Sequence, residues 1–240
     1  MGKVLVAVLM SVLSHGFAAP AVLAETETSE REAAEAPTPD PLEPFNQKMF
    51  WFNLRLDEYV LRPVATAYDR VMPDPAQRSV QRFFKNLGVV ERFANNLFQG
   101  KIPGAGKEVG RFLVNTTLGG AGFFDVAEPV FGWQESPEDF GQTLGVYGVA
   151  TGPYLVLPFF GPSTIRDTVG LAVDSAMNPM NYLLSTVEVI AIRSGITAGS
   201  AVNYRSLNLQ LFEDVDRYAV DLYGAVQDGY LQRREKAVKE

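Results

Sequence analysis

Three acids, Glu135, Glu138 and Asp139, stand close together around Pro137. A pair of carboxylates is the minimum equipment for glycoside cleavage, one giving a proton and the other acting as base or nucleophile. In a loop beside a proline, however, the trio reads first as a solvated turn. Gly119, Gly120 and Gly122 form a second candidate, because dense glycine allows a backbone cradle for phosphate. This run lacks the Gly-Lys-Ser/Thr ending of such loops, and it follows a helical pattern instead of preceding one. It reads as a hinge at the base of a loop. His15 is the single histidine, and the chain has no cysteine. His15 falls in a leader expected to be removed, so the remainder has neither imidazole nor thiol. Most hydrolase, metal and thiol chemistry is thereby set aside. No catalytic residue, metal or cofactor is assigned, and the chain is read as a non-enzyme.

What remains is an apolar inventory: 16 Phe, with 47% hydrophobic residues against 20% charged. That composition suits contact with something greasy. Met1-Gly2-Lys3 followed by the apolar run Val4 to Leu13 has the form of a secretory leader, and Val22-Leu23-Ala24 supplies small residues for cleavage before Glu25. The same stretch is long enough for an uncleaved span, but His15, Gly16 and Pro20 weaken that alternative. Removing residues 1–24 leaves 20 basic against 28 acidic groups, a net charge of −8. An acidic chain is a poor match for nucleic acid, whose phosphates need clustered Lys and Arg. No lipid-modifiable cysteine stands at the expected cleavage site.

Residues 25–44 read as a disordered linker, rich in Thr, Ser, Glu, Ala and Pro. The folded domain is expected over 45–236, with a tail at 237–240. Apolar spacing predicts a helix from Phe45 to about Tyr68, kinked at Pro63. Asp74 is expected to cap a second helix with Pro75 at its first position; Gly88 should bend it and Gly100 should end it. A third helix is expected from about Gly104 to Leu118. The uncharged stretch Phe140 to Ile165 is broken by Gly and Pro, so it reads as a short helix followed by extended chain through Tyr154 to Pro158. Ser163 is the expected cap of the next helix. Two more helices are expected, from Ser185 to Leu211 with a break at Gly195 or Gly199, and from Glu213 to Lys236. Trp51 and Trp133 suit either a membrane interface or burial. The pairs Gly106/Gly110, Gly141/Gly145 and Gly195/Gly199 have the spacing of close helix contacts but read first as turn glycines.

Many segments then match one family in order. They include Asp40-Pro41-Leu42-Glu43-Pro44-Phe45-Asn46, Arg62-Pro63-Val64-Ala65, Asn96-Leu97-Phe98-Gln99-Gly100 and Arg111 through Gly119. Gly122 through Ala127, Phe140 through Gly145, Gly152 through Pro158 and Gly161 through Asp167 continue the match, with a looser echo at Tyr230 to Arg234. The chain resembles the MlaA (VacJ) family of Gram-negative outer-membrane proteins. The resemblance implies a mainly α fold: a ring of amphipathic helices in the inner leaflet of the outer membrane, around an amphipathic central channel for phospholipid. It also implies two protein partners, a trimeric outer-membrane porin and a soluble periplasmic carrier of the MlaC type. Members are usually lipoproteins with an acylated cysteine, and Ala24-Glu25 replaces that cysteine here.

Within that frame, residues 120–140 would be the loop that gates the channel mouth, hinged at Gly119, Gly120 and Gly122. Phe83, Phe84, Phe112, Asn115, Phe123 and Phe124 are the candidates for lining the lipid path, alongside Phe93 and Phe98. For any single Phe, packing in a core is the simpler reading. Two function classes stay open: a membrane-embedded lipid-conducting component, or a soluble periplasmic lipid-binding or scaffold module lacking an anchor.

Overall fold

The computed structural model describes residues 40–178, 186–218 and 221–240. The expected leader and nearly all of the linker therefore lie outside the described residues. The fold is mainly α, as expected. Helix α1 spans Glu43–Leu56, followed by a π-helical turn at Asp57–Leu61 and α2 at Arg62–Val71. Helices α3 (Asp74–Leu87), α4 (Val89–Phe98) and α5 (Ile102–Thr117) follow. Two short helices, α6 (Ala127–Phe131) and α7 (Phe140–Val146), flank a loop. An antiparallel hairpin comes next, β1 (Tyr154–Leu157) with β2 (Gly161–Thr164), paired Tyr154 to Thr164 and Leu157 to Gly161. The chain ends in α8 (Ile165–Met177), α9 (Thr186–Leu207), α10 (Leu209–Tyr218) and α11 (Leu222–Lys239).

The disturbance expected at Pro63 takes the form of the π turn. Proline offers no N–H to the carbonyl four residues before it. The chain widens by one residue, so that Arg62 N–H reaches the Asp57 carbonyl instead. Gly88 separates α3 from α4, and Gly100 (φ 71°) ends α4 in the left-handed region.

Several local expectations are corrected. Asp74 is the first residue of α3, not its cap; the chain enters through Pro73, and the Asp74 carboxylate pairs with Arg78 one turn on. Ser163 lies in β2, and its neighbour Thr164 caps α8 by accepting the Asp167 N–H at 3.1 Å. α9 passes through Gly195 and Gly199 unbroken and ends at Leu207, and Glu213 falls inside α10 instead of starting the last helix. Gly141 and Gly145 lie within α7, and the chain comes so near that a Cβ on Gly170 would stand 2.3 Å from the Gly141 nitrogen. Gly141 is thus a contact glycine against α8, and Gly145 is one against α11, where a Cβ would stand 2.7 Å from Val238; neither is a turn glycine.

A two-stranded hairpin is marginal alone. Here α1 completes it through two asparagines two turns apart. Asn46 donates to the Tyr154 carbonyl at 2.9 Å and accepts the Val156 N–H at 2.8 Å; Asn53 donates to the Leu157 carbonyl at 2.8 Å and accepts the Phe159 N–H at 2.7 Å. Beside them sits an apolar cluster of described residues, Phe50, Tyr154, Val156, Val226 and Tyr230.

Elsewhere the interior is polar. Among the described residues, twenty polar or charged side chains are buried against nine apolar ones. Large apolar side chains face outward instead, among them Trp51 (53% exposed), Ile102 (62%), Leu113 (56%), Val130 (64%) and Leu118 (70%). Scattered exposed apolar residues are ordinary in soluble proteins. A polar interior under an apolar exterior is not. No helix of the described residues is long and apolar enough to cross a membrane.

Candidate functional site

The site grows from α5. Glu108, Arg111 and Asn115 recur at helical spacing, so they share one face, and all three reach into the loop that follows the helix. Arg111 is the pivot. Its guanidinium donates to the Asp125 carboxylate at 2.9 Å and to the Trp133 carbonyl, holding both ends of the intervening chain. Asn115 donates to Asp125 at 3.0 Å and accepts the N–H groups of Val126 (2.8 Å) and Ala127 (3.0 Å). Glu108 is fully buried, taking Arg92 at 2.7 Å and the Ser136 N–H at 2.7 Å.

The acid trio completes this stitching. Glu135 pairs with Lys85 at 2.9 Å, Glu138 with Lys101 at 2.8 Å, and Asp139 with both terminal nitrogens of Arg234 at 2.5 and 2.9 Å. The expected solvated turn is corrected: each carboxylate is matched to a cation, Lys85 on α3, Lys101 at the entry to α5 and Arg234 on α11. Burial pushes Glu135 up, but Arg92 and Lys85 outweigh it and hold the carboxyl below its ordinary range. Asp125 follows the same balance, with Arg111, Asn115 and the Glu128 N–H prevailing over burial.

The glycine run folds back on the end of α5. Gly120 (φ 58°), Ala121 (φ 61°) and Gly122 (φ 92°) are all left-handed. Ala121 N–H donates to the Thr116 carbonyl at 2.9 Å and Gly122 N–H to the Asn115 carbonyl at 2.8 Å, which satisfies open carbonyls of the helix end. A Cβ on Gly122 would lie 2.6 Å from Asn86, and one on Gly119 would lie 2.1 Å from the Phe124 carbonyl oxygen.

Between α3, α4 and α5 the loop roofs a cavity of about 220 Å³. Gln81, Arg82, Lys85 and Asn86 line it from α3, Arg92 from α4, and Arg111, Phe112 and Asn115 from α5; Asp125, Glu128 and Glu135 close it. Of the residues singled out in the sequence, Phe112 and Asn115 lie in this wall. Phe83, Phe84 and Phe123 come together: the Phe83 and Phe123 rings stack at 4.8 Å, and Phe83 meets Phe84 at 5.8 Å. Phe124 stands apart, 60% exposed. Trp133 is half-buried, stacked on Phe131 at 4.8 Å and pressed against Gly110, while Trp51 is exposed. Sequence reasoning missed the anchoring roles of Glu108 and Arg111. Their spacing with Asn115 was the available signal.

Comparison with known proteins agrees with this architecture. A family model described as MlaA lipoprotein matches residues 38–237. The intermembrane phospholipid transport system lipoprotein MlaA of Escherichia coli strain K12 is 36% identical over 200 residues, covering 82% of this chain and 77% of that protein. An uncharacterised protein of Rickettsia typhi is 38% identical over 201 residues, covering 83% of this chain and 78% of that one. A solved structure described as "Structural basis for maintenance of bacterial outer membrane lipid asymmetry" superposes with a TM-score of 0.66 at 32% identity, covering 84% of this chain and all of that one. On sequence and on fold, this chain belongs to the MlaA lipoprotein family.

Proposed function

We propose that this protein is the outer-membrane component of an intermembrane phospholipid transport system, taking mislocalised phospholipid from the outer leaflet and passing it to a periplasmic carrier. The observation that carries this reading is the reversed polarity of the fold. A buried polar interior with Trp51, Leu113, Leu118, Val130 and Phe131 turned outward suits a body seated in lipid around a polar route. The order of contacts supports the expected ring: α1 meets the hairpin, the hairpin α8, then α7, α4, α5, α3, α9 and α2, which returns to α1 through the π turn. The MlaC-type carrier and the trimeric porin rest on the family resemblance. Export with cleavage before Glu25 rests on the leader pattern alone.

The loop from Gly119 to Trp133 is proposed as the lid of the route. To open, it must release Arg111 from Asp125 and Trp133. The test is complementation of a Gram-negative strain lacking its own MlaA-type protein. The chain should fractionate with outer membrane, and surface phosphatidylethanolamine, labelled by an impermeant amine reagent, should fall to the wild-type level. Full recovery in the soluble periplasm without detergent, or unchanged surface labelling, overturns the reading. The first of these outcomes is the one a soluble scaffold would give.

A further inference from the structure

The cavity under the loop holds charges that the fold does not use. Lys85 is matched by Glu135, Arg92 by Glu108 and Arg111 by Asp125. The amides of Asn86 and Asn115 are engaged with Thr116 and with the loop. Three lining side chains have no hydrogen bond or ion pair among the described residues: Gln81, Arg82 and Glu128. The cavity therefore offers one spare cation, one spare carboxylate and one spare amide, and Arg82 and Glu128 form no ion pair with each other. A site left this way is complementary to a ligand carrying both signs. At about 220 Å³ it is smaller than a pocket for a drug-sized molecule, so it suits a headgroup and excludes acyl chains. Phe112 in the same wall supplies an apolar flank.

We infer that this cavity binds the zwitterionic phosphoethanolamine headgroup of a phospholipid, with Arg82 on the phosphate and Glu128 on the ammonium. The inference rests on the transport reading and adds a headgroup preference to it. Arginine suits the phosphate because its planar fork meets two oxygens together. Gln81, one residue before Arg82, is placed to donate to the phosphodiester or its ester oxygens. Glu128 lies on α6, which the Arg111 anchor draws over the cavity, so headgroup capture and loop position share one set of contacts.

Titration calorimetry of the detergent-solubilised full chain tests this. The probes are dihexanoyl phosphatidylethanolamine, dihexanoyl phosphatidylglycerol, dihexanoylglycerol, free phosphoethanolamine and inorganic phosphate. The wild type should prefer phosphatidylethanolamine over phosphatidylglycerol by tenfold or more and should not bind dihexanoylglycerol. Arg82→Ala should weaken both phospholipids at least tenfold, and Arg82→Lys should keep most of the affinity. Glu128→Gln should bring phosphatidylethanolamine down to the phosphatidylglycerol level while leaving the latter unchanged. Both side chains are exposed and free of structural partners, so the variants should keep the wild-type circular dichroism. Equal binding of the two phospholipids by the wild type, or variants within twofold of it, overturns the assignment. Inorganic phosphate binding as tightly as phosphatidylethanolamine would make the cavity a free-phosphate site and overturn the lipid assignment. Complementation separates the two claims. Wild-type rescue without headgroup preference sinks only this site, whereas failure of wild-type rescue sinks the transport reading.

Discussion

Asp57 and Arg205, separated by 148 residues in sequence, form a two-pronged ion pair at 2.8 and 3.0 Å that ties the π turn to α9. The Arg205 side chain is 1% exposed and the Asp57 side chain 10%, and the guanidinium also lies 3.9 Å from the centre of the Phe212 ring. The turn that carries Asp57 exists because Pro63 withholds an N–H. One local backbone defect thereby becomes the point at which the first and the late helices are joined.

Removing the carboxylate from this pair leaves a buried guanidinium uncompensated. Asp57→Ala should therefore destabilise the protein by about 3–5 kcal/mol. The exposed Arg78–Asp74 pair, at 61% and 66% side-chain exposure, is the control. Asp74→Ala should change stability by less than about 1 kcal/mol. Urea unfolding of both variants in the same detergent checks the contrast. Equal effects would show that burial does not set the strength of these pairs.

Gly120 and Gly122 separate two reasons for glycine. Both have positive φ, but a Cβ on Gly120 has only Phe124 near, at 3.9 Å, while one on Gly122 would stand 2.6 Å from Asn86. Gly120→Ala should cost about 1–2 kcal/mol, the left-handed penalty alone. Gly122→Ala should cost more, because Asn86 must also leave Thr116. Because the Asn86 Cβ itself would stand 2.7 Å away, only Asn86→Gly removes the clash, and it should cost less stability in the Gly122→Ala background than in the wild type. If the two single variants unfold alike, the close approach to Asn86 is not a constraint.

Regular helix periodicity made most of the fold legible, because apolar spacing and Gly/Pro punctuation are local signals. The polar interior was not legible in the same way. Asn46, Asn53 and Asn203 read as solvent-facing in a sequence, yet their partners are carbonyls and N–H groups more than a hundred residues away, and Gln77 turns inward to the Met72 carbonyl and the Asp69 carboxylate of the preceding helix. The hairpin was seen only as extended chain for the same reason: its stability comes from Asn46 and Asn53 on α1, not from its own eight residues. Of the residues singled out by type, only Phe112 and Asn115 fall in the cavity wall, and Phe124 is exposed. Arg82 and Glu128 carry no local signature, because their significance lies in what does not touch them. The acid trio misled because a single sequence shows neighbours in the chain and not Lys85, Lys101 or Arg234.

Two aspartates on opposite sides of their ordinary pKa, the half-buried Asp139 and the buried Asp174, should shape the pH profile. Burial pushes Asp139 up, but Arg234 and the Gln142 contacts outweigh it and leave it at about 2. Burial drives Asp174 up to about 6, with Phe140 N–H and Asn95 pulling against it and the Asp139 and Glu91 charges adding to it. An unfolded aspartate titrates near ~3.9. The Asp139 contribution is thus present above about pH 4 and lost as pH falls toward 2, and the Asp174 contribution is lost as pH rises from about 4 through 6. Stability should peak between these windows. Asp174→Asn should flatten the fall between pH 4 and 6, which has a size of ~3 kcal/mol for a two-unit displacement. Unfolding midpoints at pH 4.5 and 7.5 check it, and an unchanged slope in the variant would remove Asp174 as the cause.

Arg111 offers the most direct access to the lid. It alone reaches both Asp125 and Trp133, so it spans the loop, whereas Asn115 holds only the Asp125 to Ala127 end. Arg111→Ala should release the Trp133 end while leaving the Asn115 clamp in place. Hydrogen exchange should then rise at amides from about 128 to 134. It should stay unchanged in α7, whose start is fixed separately by Asp139 and Arg234. Arg111→Lys should behave more like the alanine variant than like wild type, since the two acceptors are met by two separate guanidinium nitrogens and lysine carries its donors on one. A cysteine pair joining this loop to a facing helix gives the functional half of the test, because the chain has no native cysteine to interfere; the pair must have Cα atoms within about 7 Å. If the loop is a lid, the oxidised form should fail to lower surface phosphatidylethanolamine and reduction should restore it. Arg111→Ala, released at the Trp133 end of the loop, should retain transport. Equal activity of oxidised and reduced forms, together with normal exchange in Arg111→Ala, would make the loop a fixed roof over the cavity.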